Sequence, residues 1–256
     1  YPVESPWIQK MIESKEDTSL IAHLSDLRDK SEIWHTNLYS GFLNEQQQAV
    51  AQKYFPASDT VIYDGGYPGA AKRRVIFQSI VEDGFYDIVC LSARIDQRFR
   101  KISHRDVLGA LMHLQIERSA FGDFWVEEDH IHLYTTTSMA PFLMQNLTRI
   151  NQLSVSFEIN KDRPVQIFQT KKMTVIAAST RMDAIVASLA HVSRSQAKEM
   201  IRGGLVQLNH ITLDSPDKLC DNNGTISIRG KGRFRFLGVV RKTGGDRVAI
   251  EIEQSI

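Results

Sequence analysis

The sequence predicts an α+β protein made of three successive regions. Its N-terminal part favours a helical or mixed region, because leucine and isoleucine recur at helical spacing within residues 6–54. A middle stretch with the order helix, strand, strand, helix, strand indicates a small α+β domain, and the C-terminal part is typical of two short helices on a small sheet. We therefore predict three domains, at residues 1–85, 86–165 and 175–256.

The composition is that of an ordinary globular protein with an uneven distribution of charge. The 256 residues are 42% hydrophobic and 24% charged, and their formal net charge is +1. Residues 181–256 contain 12 Lys/Arg against 8 Asp/Glu, a net +4, whereas residues 1–180 contain 19 against 22, a net −3. The positive surplus at the C-terminal end indicates an anionic partner there.

Cysteine usage and hydropathy predict a cytoplasmic protein without a membrane partner. Cys90 and Cys220 lie far apart, without the spacing of a metal site or a disulfide framework. No signal peptide or apolar run long enough to cross a bilayer is present. We expect no metal and no cofactor. His130 and His132 lie on one face of a predicted strand, but no third ligand is evident and a surface strand is the favoured interpretation.

Two motif fragments do not match the enzyme signatures that they suggest. Residues 104–106 read His-Arg-Asp, but Leu111 stands where a kinase catalytic loop requires asparagine. Ser103 and Asp106 instead predict the N-terminal cap of a helix. The turn over residues 65–69 is a poor version of the glycine-rich turn of a methyltransferase. We predict no catalytic residue.

Two short helices are predicted near the start of the C-terminal region. Asp183 is a suitable N-cap for the first helix, because its carboxylate accepts a backbone N–H and favours the positive end of the helix dipole. Ser193 is the predicted N-cap of the second helix, which spans residues 194–202. That helix ends at Gly203-Gly204, where glycine tolerates a positive φ.

The second helix carries a line of cations. Arg194, Lys198 and Arg202 recur every four residues and therefore share one face. The N-terminus of the helix adds unpaired backbone N–H groups and the hydroxyls of Ser193 and Ser195, a combination that suits phosphate. The alternative is an ordinary solvated helix face, since charged faces are common on protein surfaces.

The downstream strands add a second set of cations. A hairpin is predicted to turn at Asn209-His210. Within residues 226–236, apolar residues occupy even positions and cations occupy odd positions, so a single extended strand would place all the cations on one outer face. This prediction fails if Gly230 and Gly232 reverse the chain. The cations are Arg229, Lys231, Arg233 and Arg235.

From about residue 175 to residue 256 the chain resembles the S-four RNA-binding domain, a family named for small-subunit ribosomal protein four. The matching positions are Arg181-Met182-Asp183, Ser193-Arg194-Ser195-Gln196-Ala197, Gly204, Val206, Asn209 and Gly230-Lys231-Gly232-Arg233. The family usually has leucine at the position of Met182, a volume-conserving change. The predicted RNA contacts are Arg181, Ser193, Arg194, Ser195, Gln196, Lys198, Arg202, Asn209, Arg229, Lys231, Arg233 and Arg235.

A second basic cluster is predicted upstream of this domain. Residues 94–105 contain five cations against a single acid, Asp96, and three more cations stand at residues 72–74. No predicted element fixes their direction, so scattered, solvated loop charges are the alternative. The candidates for a second RNA patch are Lys72, Arg73, Arg74, Arg98, Arg100, Lys101, His104 and Arg105.

The whole chain resembles the YlmH family of bacterial S-four proteins, also called RqcP. The resemblance rests on residues 103–111, on Gly122-Asp123 and on the order of elements before the S-four region. It implies an RRM-like or ferredoxin-like middle domain. It also implies binding to rRNA of the large ribosomal subunit and to peptidyl-tRNA, with other quality-control factors as partners, in the alanine tailing of stalled nascent chains. The middle region has no RRM-type aromatic signature, which argues against base stacking on its sheet.

Two other functions stay open at this point. S-four domains are often fused to RNA-modifying enzymes of the pseudouridine synthase or methyltransferase type, in which they deliver the substrate. An adaptor in cell division that acts through protein contacts of the N-terminal helices is the third possibility.

Overall fold

The computed structural model describes residues 15–81, 86–98, 101–167, 170–220, 223–244 and 247–255. The chain forms two compact units, Tyr1–Gln166 and Ile167–Ile256. Both regions that we predicted as separate domains before residue 166 lie in the first unit, and their independence stays a prediction. None of the described helices is long and apolar enough to cross a membrane.

The N-terminal part of the first unit pairs two helices with a three-stranded sheet. The predicted helical stretch over residues 6–54 contains two helices separated by a short strand, and residues 6–14 lie outside the described part. The sheet is antiparallel with the order β1-β3-β2. The elements are α1 (Lys15–Trp34), β1 (Leu38–Tyr39), α2 (Glu45–Tyr54), β2 (Val61–Asp64) and β3 (Arg74–Phe77).

The middle part of the first unit is ferredoxin-like. Its four-stranded antiparallel sheet has the order β5-β6-β4-β9, and the chain order is βαββαβ. The elements are β4 (Ile88–Arg94), α3 (His104–His113), β5 (Phe121–Val126), β6 (His130–Thr136), α4 (Ala140–Asn146), β7 (Arg149–Ile150), β8 (Leu153–Ser154) and β9 (Glu158–Asn160). The cap of α3 is confirmed, because Ser103 and Asp106 form a capping box.

Aromatic side chains cover part of the sheet face that lies opposite α3 and α4. The ring of Tyr67 lies 4.9 Å from that of Tyr134 and 5.7 Å from that of Trp125. Tyr134 is fully buried and Trp125 is 6% exposed. These two rings are therefore not available to stack on nucleobases, although they lie on the face that an RRM uses.

The second unit packs two helices on one face of a six-stranded antiparallel sheet. The sheet order is β10-β15-β14-β13-β11-β12. Its core joins Ile185 and Ile201 of the helices to Phe234 and Ile250 of the sheet. The elements are β10 (Thr170–Ala177), α5 (Met182–Ala190), α6 (Arg194–Arg202), β11 (Val206–Leu208), β12 (Ile211–Thr212), β13 (Thr225–Ile228), β14 (Gly232–Thr243) and β15 (Arg247–Ser255).

Candidate nucleic-acid interface

The helix α6 starts and ends where the sequence predicts. The hydroxyl of Ser193 accepts a hydrogen bond from the backbone N–H of Gln196 at 3.2 Å, and the side-chain carbonyl of Gln196 accepts one from the backbone N–H of Ser193 at 3.0 Å. Gly203 is the C-cap, and Gly204 has a φ of +70°. The side chains of Ser193 and Gln196 therefore fix the start of the helix. Any contact of these two side chains with RNA would have to be compatible with the capping hydrogen bonds.

Asp183 has a different role from the predicted one. The helix α5 begins at Met182 and its N-cap is Arg181, so the prediction of Asp183 as the N-cap is wrong. The carboxylate of Asp183 is fully buried and accepts hydrogen bonds from Arg181 Nε at 3.2 Å and from Arg194 Nη2 at 2.9 Å. Lys198 Nζ lies 3.9 Å from the same carboxylate. One buried anion thus joins the start of α5 to the first two turns of α6.

The cations around Asp183 keep it ionised. Burial raises the pKa of this carboxyl, but the hydrogen bonds and charges of Arg181 and Arg194 outweigh burial and hold the pKa below its usual value. The side chains of Arg194 and Lys198 are still 49% and 43% exposed. Because a guanidinium has five donors and Arg194 donates one of them to Asp183, its outer edge is left to meet a second anion.

A second group of cations lies beside the C-terminal end of α6. Ile228 pairs with Gly232, so the chain reverses between β13 and β14, and Gly230 has a φ of +77° in this turn. The prediction of one strand with a single basic face is therefore wrong. The backbone N–H of Arg229 donates to the carbonyl of Leu205 at 2.9 Å, which fixes the turn next to the loop that follows α6.

We call the cations of α6 and of this turn the basic ridge. Its members are exposed or, at Lys198, half-buried. Three of them lie on α6, and two lie in the β13–β14 turn, whose backbone is hydrogen-bonded to the loop that follows α6. The basic ridge consists of Arg194, Lys198, Arg202, Arg229 and Lys231.

The other two predicted cations of this region lie on a different surface. Phe234 of β14 points into the core below the helices, so the alternate residues Arg233 and Arg235 point to the opposite face of the sheet. Arg235 Nη1 also lies 3.6 Å from the carboxylate of Glu253. The predicted set of RNA-binding cations is thus divided between two faces of the unit.

The predicted hairpin turn at Asn209 is confirmed, and the side chain of Asn209 is hydrogen-bonded within the protein. Asn209 and His210 have φ values of +50° and +66°, as a tight hairpin turn requires. The side-chain carbonyl of Asn209 accepts a hydrogen bond from the backbone N–H of Thr225 at 2.9 Å.

Ser195, another predicted RNA contact, is exposed in the first turn of α6.

Arg74 does not belong to a surface patch. It is 7% exposed, its Nε donates to the carbonyl of Ser40 at 2.7 Å, and its Nη1 donates to Asp87 Oδ2 at 3.0 Å. The guanidinium also lies over the ring of Tyr39, 5.0 Å from the centroid. Its role is to join β3 to the segments around Ser40 and Asp87, so we remove Arg74 from the second predicted patch.

Lys72 is also held inside the first unit. Its Nζ donates to the carbonyls of Phe121 at 3.0 Å and of Arg118 at 3.1 Å, and it lies 4.3 Å from the centroid of the Phe121 ring. Burial lowers the pKa of Lys72 to about 8, although the charge of Asp123 acts in the opposite direction. The ring of His104 stacks on Phe124 at 4.1 Å.

The remaining members of the second predicted patch have different surroundings. Arg73 Nε donates to the carbonyl of Ala70 at 2.8 Å, and Arg98 Nε donates to Asp96 at 2.9 Å. Lys101 and Arg105 are exposed. Arg100 lies outside the described residues.

The two histidines of β6 have different surroundings. His132 is 6% exposed, and its Nδ1 lies 2.7 Å from Ser92 Oγ, so the prediction of a surface strand is wrong for this side chain. Burial lowers the pKa of His132, against the charge of Glu127. His130 Nδ1 lies 2.8 Å from Asp129. In the described part of the chain, no three His, Cys, Asp or Glu side chains gather in a way that would hold a metal ion.

Comparisons with known proteins match both units. A family model described as "Putative RNA-binding domain in YlmH" matches residues 82–164, and one described as "S4 domain" matches residues 180–226. The chain is 27% identical over 221 residues to "Ribosome-associated protein quality control protein P2" of Bacillus subtilis (strain 168), which covers 83% of this chain and 85% of that protein. A solved structure, "Cell division protein ylmH from Streptococcus pneumoniae", aligns with a TM-score of 0.47 and 22% identity, over 59% of this chain and 94% of that one.

Proposed function

Because this chain belongs to the YlmH family and carries an S-four domain, we propose that it binds folded RNA through the basic ridge and does not modify it. The observation that carries the proposal is the ridge itself. Its cations are fixed on a capped helix and on a turn that is hydrogen-bonded to the loop after that helix. Cations that recur along a helix suit a polyanion whose charges are regularly spaced. We take this polyanion to be RNA, because the ridge belongs to an S-four domain.

The chemistry of the ridge suits phosphate rather than base edges. Arg194 and Arg202 are eight residues apart on α6, which corresponds to about 12 Å along the helix axis. The turn with Arg229 and Lys231 is hydrogen-bonded to the loop that follows α6 and adds two cations beside the end of the helix. Guanidinium and ammonium groups in such a row neutralise phosphates and orient a stem, but they carry little sequence information.

The proposed RNA is that of the translation machinery. The Bacillus subtilis relative is named as a ribosome-associated quality-control protein, and this supports a place for the present chain in the same process. Our proposal is that the ridge holds rRNA of the large ribosomal subunit and the stem of peptidyl-tRNA in the cytoplasm. The protein would there assist the alanine tailing of stalled chains together with other quality-control factors.

Packing of the glycine-rich turn argues against a methyltransferase of the kind that this turn suggested. A Cβ atom on Gly65 would lie 2.4 Å from the carbonyl oxygen of Lys72, and one on Gly66 would lie 2.6 Å from the ring of Tyr134. These glycines therefore allow close packing against the protein itself. This use differs from the open glycine-rich turn that cradles a methyl donor.

Co-sedimentation with purified ribosomal subunits tests the proposal. We expect the protein to pellet with large subunits and more strongly with large subunits that carry peptidyl-tRNA. The variant Arg202→Gln with Lys231→Gln should be released at lower salt, because two phosphate contacts are lost. The variant Lys53→Gln with Lys161→Gln removes the same charge from the first unit and serves as the control.

Two results would contradict the proposal. The first is equal release of the ridge variant and its control. The second is a modified nucleoside after incubation of ribosomal RNA with the protein and labelled S-adenosylmethionine, which would make the protein an enzyme. A nuclease-resistant complex with a cell-division protein would support the adaptor function instead.

A further inference from the structure

The six-stranded sheet of the C-terminal unit has one face that the described helices of this unit do not cover. Ile226, Ile228 and Phe234 point from β13 and β14 into the core below α5 and α6. Because successive side chains of a strand point to opposite faces, the residues that alternate with them lie on the other side of the sheet. We call the part of this side that β11–β14 form the outer face. It consists of Gln207, Thr212, Thr225, Ser227, Arg233 and Arg235.

The strand register arranges the outer face in two parallel rows. One row runs from Arg233 through Ser227 and Gln207 to Thr212, and these residues pair directly from strand to strand. Arg235 begins the second row, two residues further along β14. Neighbouring strands lie about 4.8 Å apart and each residue adds about 3.4 Å along a strand, so the first row is about 14 Å long and the rows are about 7 Å apart. The outer face is thus a regular array of polar side chains in which each row includes an arginine.

The neutral polar side chains of the outer face are not engaged inside the protein. In the part of the chain that the structure describes, no hydrogen bond reaches the side chains of Gln207, Thr212, Thr225 or Ser227. Asn209 in the adjacent turn differs from them, because its side-chain carbonyl accepts a hydrogen bond from the backbone N–H of Thr225. Thr212 is exposed, and the other three are partly exposed. Hydroxyl and amide groups both donate and accept, so the array can bond to a ligand that offers both functions.

A carboxylate positions one of the two arginines. Arg235 Nη1 lies 3.6 Å from the carboxylate of Glu253, which is 19% exposed, whereas the side chain of Arg235 is 58% exposed. Glu253 also pairs across the sheet with Lys172, which is exposed. Lys172, Arg233 and Arg235 against Glu253 give a net charge of +2 around the two rows. Because a guanidinium has five donors, Arg235 retains donors for an anionic ligand while Glu253 orients it.

These features suit the minor groove of an A-form RNA duplex. That groove is wide and shallow, and it displays 2′-hydroxyl groups beside the phosphates. Hydroxyl and amide side chains on a sheet face match the 2′-hydroxyls, and the arginines match the phosphates. A DNA duplex offers neither the width nor the 2′-hydroxyls. An acidic protein would pair with the arginines and leave the rows of polar side chains without a defined partner.

We propose that the outer face binds the minor groove of an A-form RNA duplex, as a second RNA site of the C-terminal unit. Arg233 and Arg235 contact phosphates, and Gln207, Thr225 and Ser227 bond to 2′-hydroxyls. The inference rests on the proposed function, because it takes RNA as the ligand from there. The ridge cations of α6 lie on the side of the sheet that carries the helices, so one straight duplex cannot contact both surfaces. The unit therefore holds two RNA segments, one on each side of the sheet.

The preference for RNA over DNA tests the polar array. A short RNA duplex and the DNA duplex of the same sequence are titrated with full-length Arg202→Gln with Lys231→Gln, in which the ridge is weakened and the outer face dominates binding. Adding Gln207→Ala with Ser227→Ala removes two hydrogen bonds to 2′-hydroxyls, so the affinity for RNA should fall roughly 5- to 150-fold and the affinity for DNA should not change.

A matched control and a check of folding accompany this titration. Gln52→Ala with Ser215→Ala removes the same side-chain types from exposed positions elsewhere and should leave the affinity for RNA unchanged. Hydrogen exchange in α5 and α6 shows whether each variant keeps its fold. Equal affinity for RNA and DNA before the polar side chains are removed, or an unchanged affinity for RNA afterwards, would overturn the contact with the groove.

Energy transfer between two labelled duplexes tests whether the unit holds two RNA segments. Wild type mixed with RNA duplexes that carry a donor or an acceptor dye should bring the dyes together. Arg233→Gln with Arg235→Gln should abolish the transfer, and so should the ridge variant Arg202→Gln with Lys231→Gln. Lys53→Gln with Lys161→Gln should behave like the wild type.

The outcomes separate this inference from the proposed function. If Arg233→Gln with Arg235→Gln transfers energy like the wild type while large-subunit binding depends on the ridge, the inference is overturned and the ridge proposal stands. If the wild type binds neither large subunits nor duplexes, both are overturned. If Arg233→Gln with Arg235→Gln loses binding to polyglutamate and keeps binding to RNA, the outer face belongs to an acidic protein and the inference is overturned.

Discussion

Replacement of Asp183 by asparagine should loosen the C-terminal unit and the ridge together. The side chain keeps its size, but the fully buried carboxylate that accepts hydrogen bonds from Arg181 and Arg194 loses its charge. Loss of one partner from a buried pair costs about 3–5 kcal/mol, and hydrogen bonds to charged groups are worth about 1.5–3 kcal/mol. Because Arg194 can turn to solvent, we expect a loss of about 2–3 kcal/mol in the free energy of unfolding of this unit.

Hydrogen exchange in the full-length protein is the suitable assay, because all three tryptophans lie in the first unit. A loss of this size corresponds to exchange that is roughly 30- to 150-fold faster at the protected amides of α5 and α6. Amides of the first unit should not change. Asp214→Asn removes an exposed carboxylate from the same unit and is the control.

The contribution of Asp183 to the stability of the C-terminal unit should depend on pH, and its direction follows from the pKa of the carboxyl. The pKa of Asp183 is lowered in the folded protein, so its contribution to stability is present above the unfolded value of about 4 and is lost as the pH falls through the lower folded value. Wild type and Asp183→Asn should therefore differ at neutral pH and converge in strong acid. Equal protection of α5 and α6 in both proteins at neutral pH would refute the reasoning.

Two further predictions concern the first unit, and urea unfolding followed by tryptophan fluorescence tests both. Arg74→Gln should lower the free energy of unfolding by about 2–3 kcal/mol, because Asp87 and the carbonyl of Ser40 lose a buried partner. The same variant should leave the salt dependence of RNA binding unchanged. A flatter slope of log K against log salt would show that Arg74 contacts RNA. The pKa of Lys72 is lowered from 10.5 to about 8, so the unfolded state binds more protons between these values and stability rises with pH there. Lys72→Met should abolish that rise relative to wild type, and an identical pH profile would contradict the burial of the ammonium group.

Local signals in the sequence predicted the ends of helices and turns well. The capping boxes of α3 and α6 depend on side chains within three residues of the backbone groups that they hold, so spacing alone identifies them. The turn at Asn209 depends on the positive φ of Asn209 and His210, which the residue types indicate. The α+β fold class and the order helix, strand, strand, helix, strand of the middle region, which the residue pattern predicted, are confirmed. The ferredoxin-like arrangement of its sheet followed from the family resemblance.

Contacts between distant segments could not be predicted from the same signals. Asp183 has the residue type of an N-cap, but its partner Arg194 stands eleven residues away on the next helix. The alternation around Gly230 fits a strand and a hairpin equally, and only the positive φ values distinguish them. Arg74 follows two other cations in the sequence and therefore looked like part of a surface cluster. Its partners Ser40 and Asp87 belong to distant segments that no spacing rule connects to it.

The salt dependence of large-subunit binding by Arg202→Gln with Arg229→Gln tests the basic ridge most directly. These two cations lie where α6 meets the β13–β14 turn, away from Asp183, so their removal should not disturb the joint between the helices. We predict a slope of log K against log salt that is smaller by about 1.4–1.8 than that of the wild type, with unchanged hydrogen exchange in α5 and α6. A slope equal to that of the wild type and of Lys53→Gln with Lys161→Gln would contradict RNA binding by the ridge.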